Sequence, residues 1–400
     1  MRIVVVSEWF SEHMGYTDNC LPKALASLGH EVHLVTSTLK PYGTASFYDD
    51  VYAGFLGPAV VEPSTHEQDG FVVHRLAHFM VRDRIGLRGL APLLRELRPD
   101  VVQALSHSAF SAVQVAVLQP RLRFRLFTAN HVLPSVFPPP SAGDPPSRAW
   151  RLRTRLTLGL PGRFVAWRSE RCYAATQDAV EVANEHLGVP LAKLEVATLG
   201  VDTDVFHPVQ TDADEAERAA ARAELGFEPD DIVCMYTGRL APGKDPACLA
   251  AAIALLGDAG ESYRGLFIGE GPQDAAIRAT PGCTVIPFVP FPALGRLHRG
   301  ADIGVWPRQE SMSVLDATAS GLPVIISDAV VAGDRLQANA STYAEGDPAS
   351  LATALRQLDD GGSRRDLGCQ GAAVIVRERS WRAVAERRVR DYEAALGSPS

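Results

Sequence analysis

Two apolar runs rich in β-branched residues, each followed by a loop and a delimited helix, constrain the fold of this chain most. The runs occupy residues 3–6 and 232–236, and neither contains a charged residue. Such continuous runs are typical of strands in parallel sheets that are buried on both faces. With its loop and helix, each run forms the opening unit of a doubly wound sheet. The sequence therefore predicts two Rossmann-like α/β domains.

Capping residues delimit the helix that follows each run. Asp18 or Asn19 is predicted to cap the first helix, with Pro22 in its first turn. Asp245 is predicted to cap the second helix, with Pro246 at the first helical position.

The polar, acidic residues 209–230 read as a linker with a solvated helix. We therefore predict an N-terminal domain over 1–207 and a C-terminal domain over 208–379, with a final helix in 380–400 that packs back. Loops at the carboxyl ends of the strands are expected to line a cleft between the domains.

Composition excludes several classes of protein. The net charge of −8 argues against a nucleic-acid binder. The six cysteines show no CxxC spacing, which excludes a zinc knuckle or a disulfide scaffold and fits a reducing cytoplasm. We find no signal peptide and no apolar segment long enough to span a membrane, so we expect a cytoplasmic protein.

A pair of cations marks the loop after the second run. Arg239 and Lys244 bracket a Pro-Gly turn, in a chain that contains only four lysines. A guanidinium and an ammonium at the end of a buried strand suit a diphosphate. The alternative is a solvated turn with incidental charges.

A second segment, residues 306–323, carries carboxylates beside a predicted helix start. Ser311 or Ser313 is predicted to cap that helix, and Glu310 and Asp316 lie close to its first turns. Beside a phosphate site, carboxylates are better suited to accept hydrogen bonds from the hydroxyls of a sugar or ribose. The alternative is that both only interact favourably with the helix dipole.

Together these segments resemble a known family. The motifs TGRLAPGKDP, IGEGP and ADIGVWPRQESMSVLDATASGLPVI, in this order, resemble those of the retaining nucleotide-sugar glycosyltransferases of family 4, which have the GT-B fold. In the first domain MRIVVVSEWF, HMGY, PDVVQALSH, LFTANH and TLGVDTDVFHP are similar to further family segments. The resemblance covers nearly the whole chain and implies two Rossmann-like domains facing a cleft.

The resemblance implies how the donor diphosphate is bound. Arg239 and Lys244 would hold it and stabilise the leaving phosphate, aided by the loop at Gly15 and by backbone N–H groups near Ser313 and Val314. No metal and no other cofactor is implied, because cationic side chains can neutralise the charge that develops on the phosphate.

The resemblance also implies which residues bind the ribose and the transferred sugar of the donor. Asp316 would accept the ribose hydroxyls, and Glu310, with the backbone around Ser311 and Met312, would hold the hydroxyls of the transferred sugar. His131 would point toward that sugar.

Three further residues, Tyr16, Asp18 and His107, are assigned to the acceptor side. The acceptor is unknown and left open between a lipid-linked and a small molecule.

The acidic motif departs from the family pattern. Only five residues separate Glu310 from Asp316, whereas the usual spacing places Arg308 at the first position. Whether Arg308 or Glu310 contacts the sugar stays open, and a noncatalytic sugar-nucleotide-binding or scaffold homologue is the alternative function. A dinucleotide-dependent oxidoreductase is disfavoured because the loop after residue 6 lacks G-x-G-x-x-G.

A basic segment stands out in this acidic chain. Residues 121–171 contain ten arginines, and their part 148–171 reads as an amphipathic helix. Peripheral contact with an anionic membrane is one interpretation. A surface helix, or a wall that binds a soluble anionic acceptor, is the alternative.

Overall fold

The computed structural model describes residues 1–81, 84–133, 147–308, 311–329 and 339–397. The chain divides into two compact units, Met1–Gly200 with Trp381–Ser400, and Val201–Ser380. The sequence places this boundary slightly later, at 207/208. None of the described helices is both long and apolar enough to cross a membrane.

The first unit is built on an eight-stranded sheet and a two-stranded hairpin. Its strands are β1 (Arg2–Val6), β2 (Glu31–Ser37), β3 (Ser64–Gln68), β4 (Phe71–Leu76), β5 (His78–Val81), β6 (Arg84–Leu87), β7 (Val101–Ala104), β8 (Arg125–Asn130), β9 (Arg171–Ala174) and β10 (Leu194–Val196). The sheet order is β10-β9-β8-β7-β1-β2-β4-β3, and β5 pairs with β6. All neighbours in the large sheet are parallel except β3 and β4.

The second unit contains a six-stranded sheet. Its strands are β11 (Ile232–Thr237), β12 (Tyr263–Ile268), β13 (Cys283–Ile286), β14 (Ile303–Trp306), β15 (Val324–Ser327) and β16 (Ala340–Tyr343). The order is β13-β12-β11-β14-β15-β16, and every neighbouring pair is parallel. This is the doubly wound Rossmann order, in which the strand sequence reverses between the first and fourth strands. The prediction of Rossmann-like α/β sheets is confirmed.

Helices cover these sheets. They are α1 (Thr17–Ser27), α2 (Tyr48–Val51), α3 (Ala53–Leu56), α4 (Leu90–Leu97), α5 (Phe110–Leu122), α6 (Arg148–Thr154), α7 (Leu160–Arg168), α8 (Gln177–Glu185), α9 (Asp212–Glu224), α10 (Pro246–Asp258), α11 (Asp274–Arg278), α12 (Phe291–Gly300), α13 (Ser313–Ala319), α14 (Pro348–Arg356), α15 (Gly361–Val374) and α16 (Trp381–Gly397). A 3₁₀ turn occupies Leu191–Lys193, and π-helical turns occupy Arg155–Gly159 and Ile375–Arg379. The final helix, α16, belongs to the first unit, where it contacts α1.

The first helix begins differently from the prediction. Its N-cap is Tyr16, which makes no side-chain cap bond, and Pro22 lies inside the helix rather than in its first turn. Asn19 does not cap because its side-chain amide donates to the carbonyl of Ser11 and so ties the preceding loop to the helix. The predicted Asp18 or Asn19 cap is therefore wrong.

The acidic helix α9 is more firmly attached than a solvated helix would be. Thr211 and Asp214 form a reciprocal capping box at its start. On its inner side, Arg222 is buried and donates to Asp302 at 2.9 Å, and Arg218 donates to the other carboxylate oxygen at 2.7 Å. The same carboxylate accepts the backbone N–H of Val233, so α9 is fixed directly to the start of β11.

Candidate functional site

The second unit has a topological switch point between β11 and β14, which are neighbours in its sheet. Ligands of doubly wound proteins bind outside the carboxyl ends of the strands at such a point. The loop after β11 carries Arg239 and Lys244, and the segment after β14 carries Ser311 and, on α13, Ser313 and Asp316. The topology therefore brings these predicted donor residues to one edge of one sheet.

The two cations lie close to each other. Arg239 is exposed and Lys244 is half-buried at the end of a turn in which its N–H donates to the carbonyl of Ala241. Desolvation and the positive charge of Arg239 both lower the pKa of the Lys244 ammonium. An anion placed between the two would relieve their repulsion, because each cation stabilises it electrostatically.

Glycines fix the backbone of the cationic loop. Gly269, in the G-x-G turn after β12, has φ +149°, and a Cβ built there would lie 2.0 Å from the carbonyl oxygen of Gly238. Gly271 is equally constrained, since its Cβ would lie 2.5 Å from the carbonyl oxygen of Leu240. The G-x-G turn, which belongs to the motif IGEGP, is thus the backbone support under Arg239.

We expect Gly269→Ala to lower the thermal midpoint of unfolding, because the new methyl group collides with backbone that cannot move independently. The strain should cost about 1–3 kcal/mol of unfolding free energy. Gly257→Ala is the matched control, since that glycine lies within α10 with no atom within 4 Å of a built Cβ. Alanine is the better helix former, so the control should leave the midpoint unchanged or raised. Equal midpoints for both variants, measured by circular dichroism, would contradict this support role.

Serine hydroxyls join the switch-point loops. The Ser313 hydroxyl lies 3.1 Å from Nε1 of Trp306, from which it accepts, and 2.6 Å from the Ser311 hydroxyl. Trp306 also donates to the carbonyl of Thr237, which connects the ends of β14 and β11. Because the serines are used in this way, Met312 is the N-cap of α13 and makes no side-chain cap bond. The predicted Ser311 or Ser313 cap is wrong.

The backbone at the start of α13 is partly occupied. The N–H of Val314 donates to the carbonyl of Ser311 at 3.3 Å, a long bond, and the N–H of Leu315 donates to Met312 at 2.9 Å. The role of the Ser313 and Val314 amides toward a diphosphate remains a prediction.

Asp316 lies near a second carboxyl group, that of Asp202. Desolvation, with a smaller contribution from the negative charge of Asp202, raises the pKa of Asp316 to about 8. Asp202 is buried, and one of its oxygens accepts the backbone N–H of Asp204. Sequence reasoning noted Asp202 only as part of the segment TLGVDTDVFHP, and its proximity to Asp316 depends on the tertiary fold.

Arg308 has an acidic partner of its own. Its Nε donates to Glu345 at 3.0 Å, and Glu345 also accepts from the Ser327 hydroxyl. The alternative that Arg308 contacts the sugar would require it to exchange or share this partner. Glu310 lies outside the described residues.

His131 lies where a strand-end loop is held rigid. It follows β8 directly, and Asn130 anchors the loop because its side chain donates to the carbonyl of Ala179 and accepts the N–H of Val132. Desolvation and the charge of Arg388 lower the pKa of His131. Because His131 is exposed to solvent, the shift in its pKa is smaller than it would be for a fully buried histidine. A lowered pKa keeps the imidazole ring neutral at pH 7.

His107 has a different environment. It is buried, its Nε2 donates to the carbonyl of Gly162 at 3.0 Å, and its Nδ1 accepts from Thr128 at 2.9 Å. Burial lowers its pKa to about 4. Both ring nitrogens thus bind to the interior of the first unit, which favours a structural role over contact with an acceptor.

The remaining predicted residues surround the loop between β1 and α1, in which Gly15 lies. The Tyr16 hydroxyl is 3.1 Å from that of Tyr42. Asp18 is buried, and desolvation raises its pKa to about 7, with a further contribution from the charge of Glu8. Glu8, which the sequence did not single out, is buried and accepts from the Ser111 hydroxyl. In the part of the chain that the structure describes, no group of three His, Cys, Asp or Glu side chains is suited to bind a metal.

Comparison with known proteins agrees with this architecture. A family model described as Glycosyltransferase Family 4 matches residues 21–205, and one described as Glycosyl transferases group 1 matches residues 231–360. A D-inositol 3-phosphate glycosyltransferase from Segniliparus rotundus is 31% identical over 259 residues, which are 59% of this chain and 54% of that protein. The chain spans about half the length of such curated relatives.

Solved structures share the fold. Sucrose-phosphate synthase from Thermosynechococcus elongatus has a TM-score of 0.67 at 18% identity, with 100% of both chains covered. Anabaena HepE in complex with UDP-glucose has a TM-score of 0.66 at 14% identity, covering 98% of this chain and 100% of that one. The two family models, the doubly wound sheets and these structures agree, and the chain combines a family 4 glycosyltransferase domain with a group 1 glycosyltransferase domain in the GT-B fold.

Proposed function

We propose that this protein is an enzyme that transfers a sugar from a nucleoside diphosphate sugar to a hydroxyl group of an acceptor. The observation that carries the proposal is the Arg239 and Lys244 pair at the switch point of the second sheet, where their mutual repulsion favours an anion. The crystal structure of the related fold in Anabaena HepE holds UDP-glucose, which fits a donor of this class.

We propose retention of configuration at the transferred carbon. The bond from the sugar to the diphosphate breaks while the acceptor hydroxyl attacks the same face, and the proton of that hydroxyl passes to the departing phosphate oxygen. Such a reaction requires above all that negative charge on the departing phosphate be stabilised, and fixed cations do this well. Arg239 and Lys244 would supply that charge, so the proposed reaction uses neither a metal nor another cofactor.

Within this proposal Asp316 binds the ribose, and His131 lies toward the sugar. The neutral ring of His131 can donate one hydrogen bond to a sugar hydroxyl and accept another. The loop at Gly15, with Tyr16 and Asp18, would lie on the acceptor side.

For the acceptor we propose a polyol, because the curated relatives are named for the glycosylation of D-inositol 3-phosphate. All six cysteines are free thiols, which supports the proposal of a cytoplasmic location.

Slow hydrolysis of the donor tests the proposal without knowledge of the acceptor. The full chain would be incubated separately with UDP-, GDP- and dTDP-sugars, and release of the free sugar would be followed by chromatography. We expect one donor to be hydrolysed, because water can replace the acceptor in an occupied site, and we expect the released sugar to keep the donor's anomeric configuration.

Two results would contradict the proposal. Binding of a donor with no turnover, even in the presence of a polyol panel, would favour the noncatalytic homologue. Release of the inverted anomer would refute the retaining reaction.

A further inference from the structure

A helical segment of the first unit exposes more apolar surface than the fold requires. It consists of α6, the following π-helical turn and α7, and we call its outer surface the 148–168 face. Leu152, Leu156, Leu160 and Trp167 are 59%, 54%, 47% and 68% exposed. Single exposed apolar residues are common, but an aligned set on one segment marks an interaction surface.

The four side chains share one side of the segment because of their spacing. The leucines recur every fourth residue, and Trp167 follows Leu160 by two helical turns. The intervening π-helical turn, Arg155–Gly159, accommodates more residues per turn than an α-helix. In a regular α-helix, side chains spaced four residues apart rotate progressively around the helix axis. The wider π-helical turn offsets this rotation, so the apolar side chains stay on one side.

The opposite side of α7 fixes which way this face points. Gly162, Val165 and Ala166 are buried there, and a Cβ built on Gly162 would lie only 1.8 Å from the carbonyl oxygen of Leu187. This close backbone contact prevents the helix from rotating its apolar stripe inward. The stripe is thus directed away from the core of the first unit.

The charge around the stripe has one sign. Residues 147–168 contain six arginines and no acidic residue, in a chain of net charge −8. Arg151, Arg153, Arg155 and Arg163 are exposed. The guanidinium of Arg168 lies 4.0 Å from the ring centre of Trp167, a cation–π contact that leaves the tryptophan exposed.

We propose that the 148–168 face binds to the surface of an anionic lipid bilayer. The three leucines and the tryptophan enter the boundary of the acyl chains, and the arginines lie at the level of the lipid phosphates. Amphipathic helices bind membranes in this way, with affinity from apolar burial and from attraction to anionic lipids. A second copy of the chain fits less well, because a symmetric contact would oppose two faces with six positive charges each. The proposal is independent of the proposed transfer reaction.

Vesicle sedimentation of the full-length protein tests this surface. Wild type should bind vesicles that contain 30% phosphatidylglycerol in phosphatidylcholine, and binding should weaken with added salt. Vesicles of pure phosphatidylcholine should bind little of the protein. The charge variant Arg151→Gln/Arg153→Gln/Arg155→Gln and the apolar variant Leu152→Ser/Leu156→Ser/Leu160→Ser should each weaken partitioning about tenfold or more.

Matched controls remove three arginines or three aliphatic side chains elsewhere on the protein. Arg365→Gln/Arg377→Gln/Arg382→Gln and Leu255→Ser/Val376→Ser/Leu396→Ser alter exposed residues outside the 148–168 face and should bind as wild type does. Circular dichroism and the thermal midpoint verify that every variant is folded.

Three results would overturn the proposal. One is the absence of binding by wild type to anionic vesicles, and another is an equal loss in the controls. The third is a dimer in sedimentation velocity that the leucine variant dissociates while vesicle binding is unaffected.

Discussion

Arg239→Ala and Lys244→Ala should each reduce kcat/KM for the donor about 100- to 1000-fold while leaving the protein folded. Loss of one preorganised charge from a site that stabilises a developing anion has an effect of this size in other enzymes. Both residues lie on a loop after β11, and neither belongs to the hydrophobic core, so the sheet should form without them. Steady-state kinetics with the hydrolysed donor measures the effect.

Two control variants distinguish charge from structure. Lys244→Arg keeps the positive charge and should restore part of the activity, whereas Arg365→Ala removes an exposed cation from α15 and should leave kcat/KM unchanged. Because the two cations interact, the double variant should lose less than the product of the single losses. Near-normal turnover in either alanine variant would remove that residue from the diphosphate site.

The strands of this protein could be predicted from sequence because their signal is local. Continuous apolar runs such as residues 232–236 become strands wherever two faces of a sheet are covered, and β11 has nearly the predicted bounds. The helix caps could not be predicted in the same way, because groups that are distant from the helix start compete for the capping side chains. Asn19 donates to the Ser11 carbonyl, and Ser313 accepts from Trp306, so neither side chain caps its helix.

The histidines of the candidate site show the same limit of prediction from sequence. His107 and His131 both follow parallel strands of one sheet, so topology alone does not distinguish them. They differ because the backbone of Gly162, on a helix distant in sequence, reaches the ring of His107 and binds it. The proximity of Asp202 to Asp316 was hidden for the same reason, since 113 residues separate them in sequence.

The pair of Asp202 and Asp316 leads to a prediction about pH. Burial raises the pKa of Asp316 to about 8, so without a ligand this carboxyl group stays protonated at pH 7. A ribose donates its hydroxyl hydrogens best to a carboxylate, since hydrogen bonds to charged acceptors are the stronger ones. Binding should therefore release a proton below pH 8. Affinity for the nucleoside diphosphate should rise from pH 6 to pH 8 and then level off.

The raised pKa of Asp316 also determines how the free energy of unfolding changes with pH. An unfolded aspartate loses its proton near pH 4, so between about pH 4 and pH 8 the folded state binds one proton more than the unfolded state. The free energy of unfolding should accordingly fall as pH rises through this window. Asp316→Asn, which cannot ionise, should show a smaller fall than wild type. Asp258→Asn, an exposed carboxyl at the end of α10, is the control and should follow wild type.

Calorimetric titration with UDP or GDP, whichever binds, measures affinity and proton release in one experiment. Buffers with different ionisation enthalpies reveal the number of protons released. Asp316→Ala should weaken binding about tenfold or more, because a hydrogen bond to a charged group contributes about 1.5–3 kcal/mol. It should also abolish the pH dependence. A wild-type affinity that is flat from pH 6 to pH 9, together with unchanged affinity in Asp316→Ala, would show that the ribose binds elsewhere.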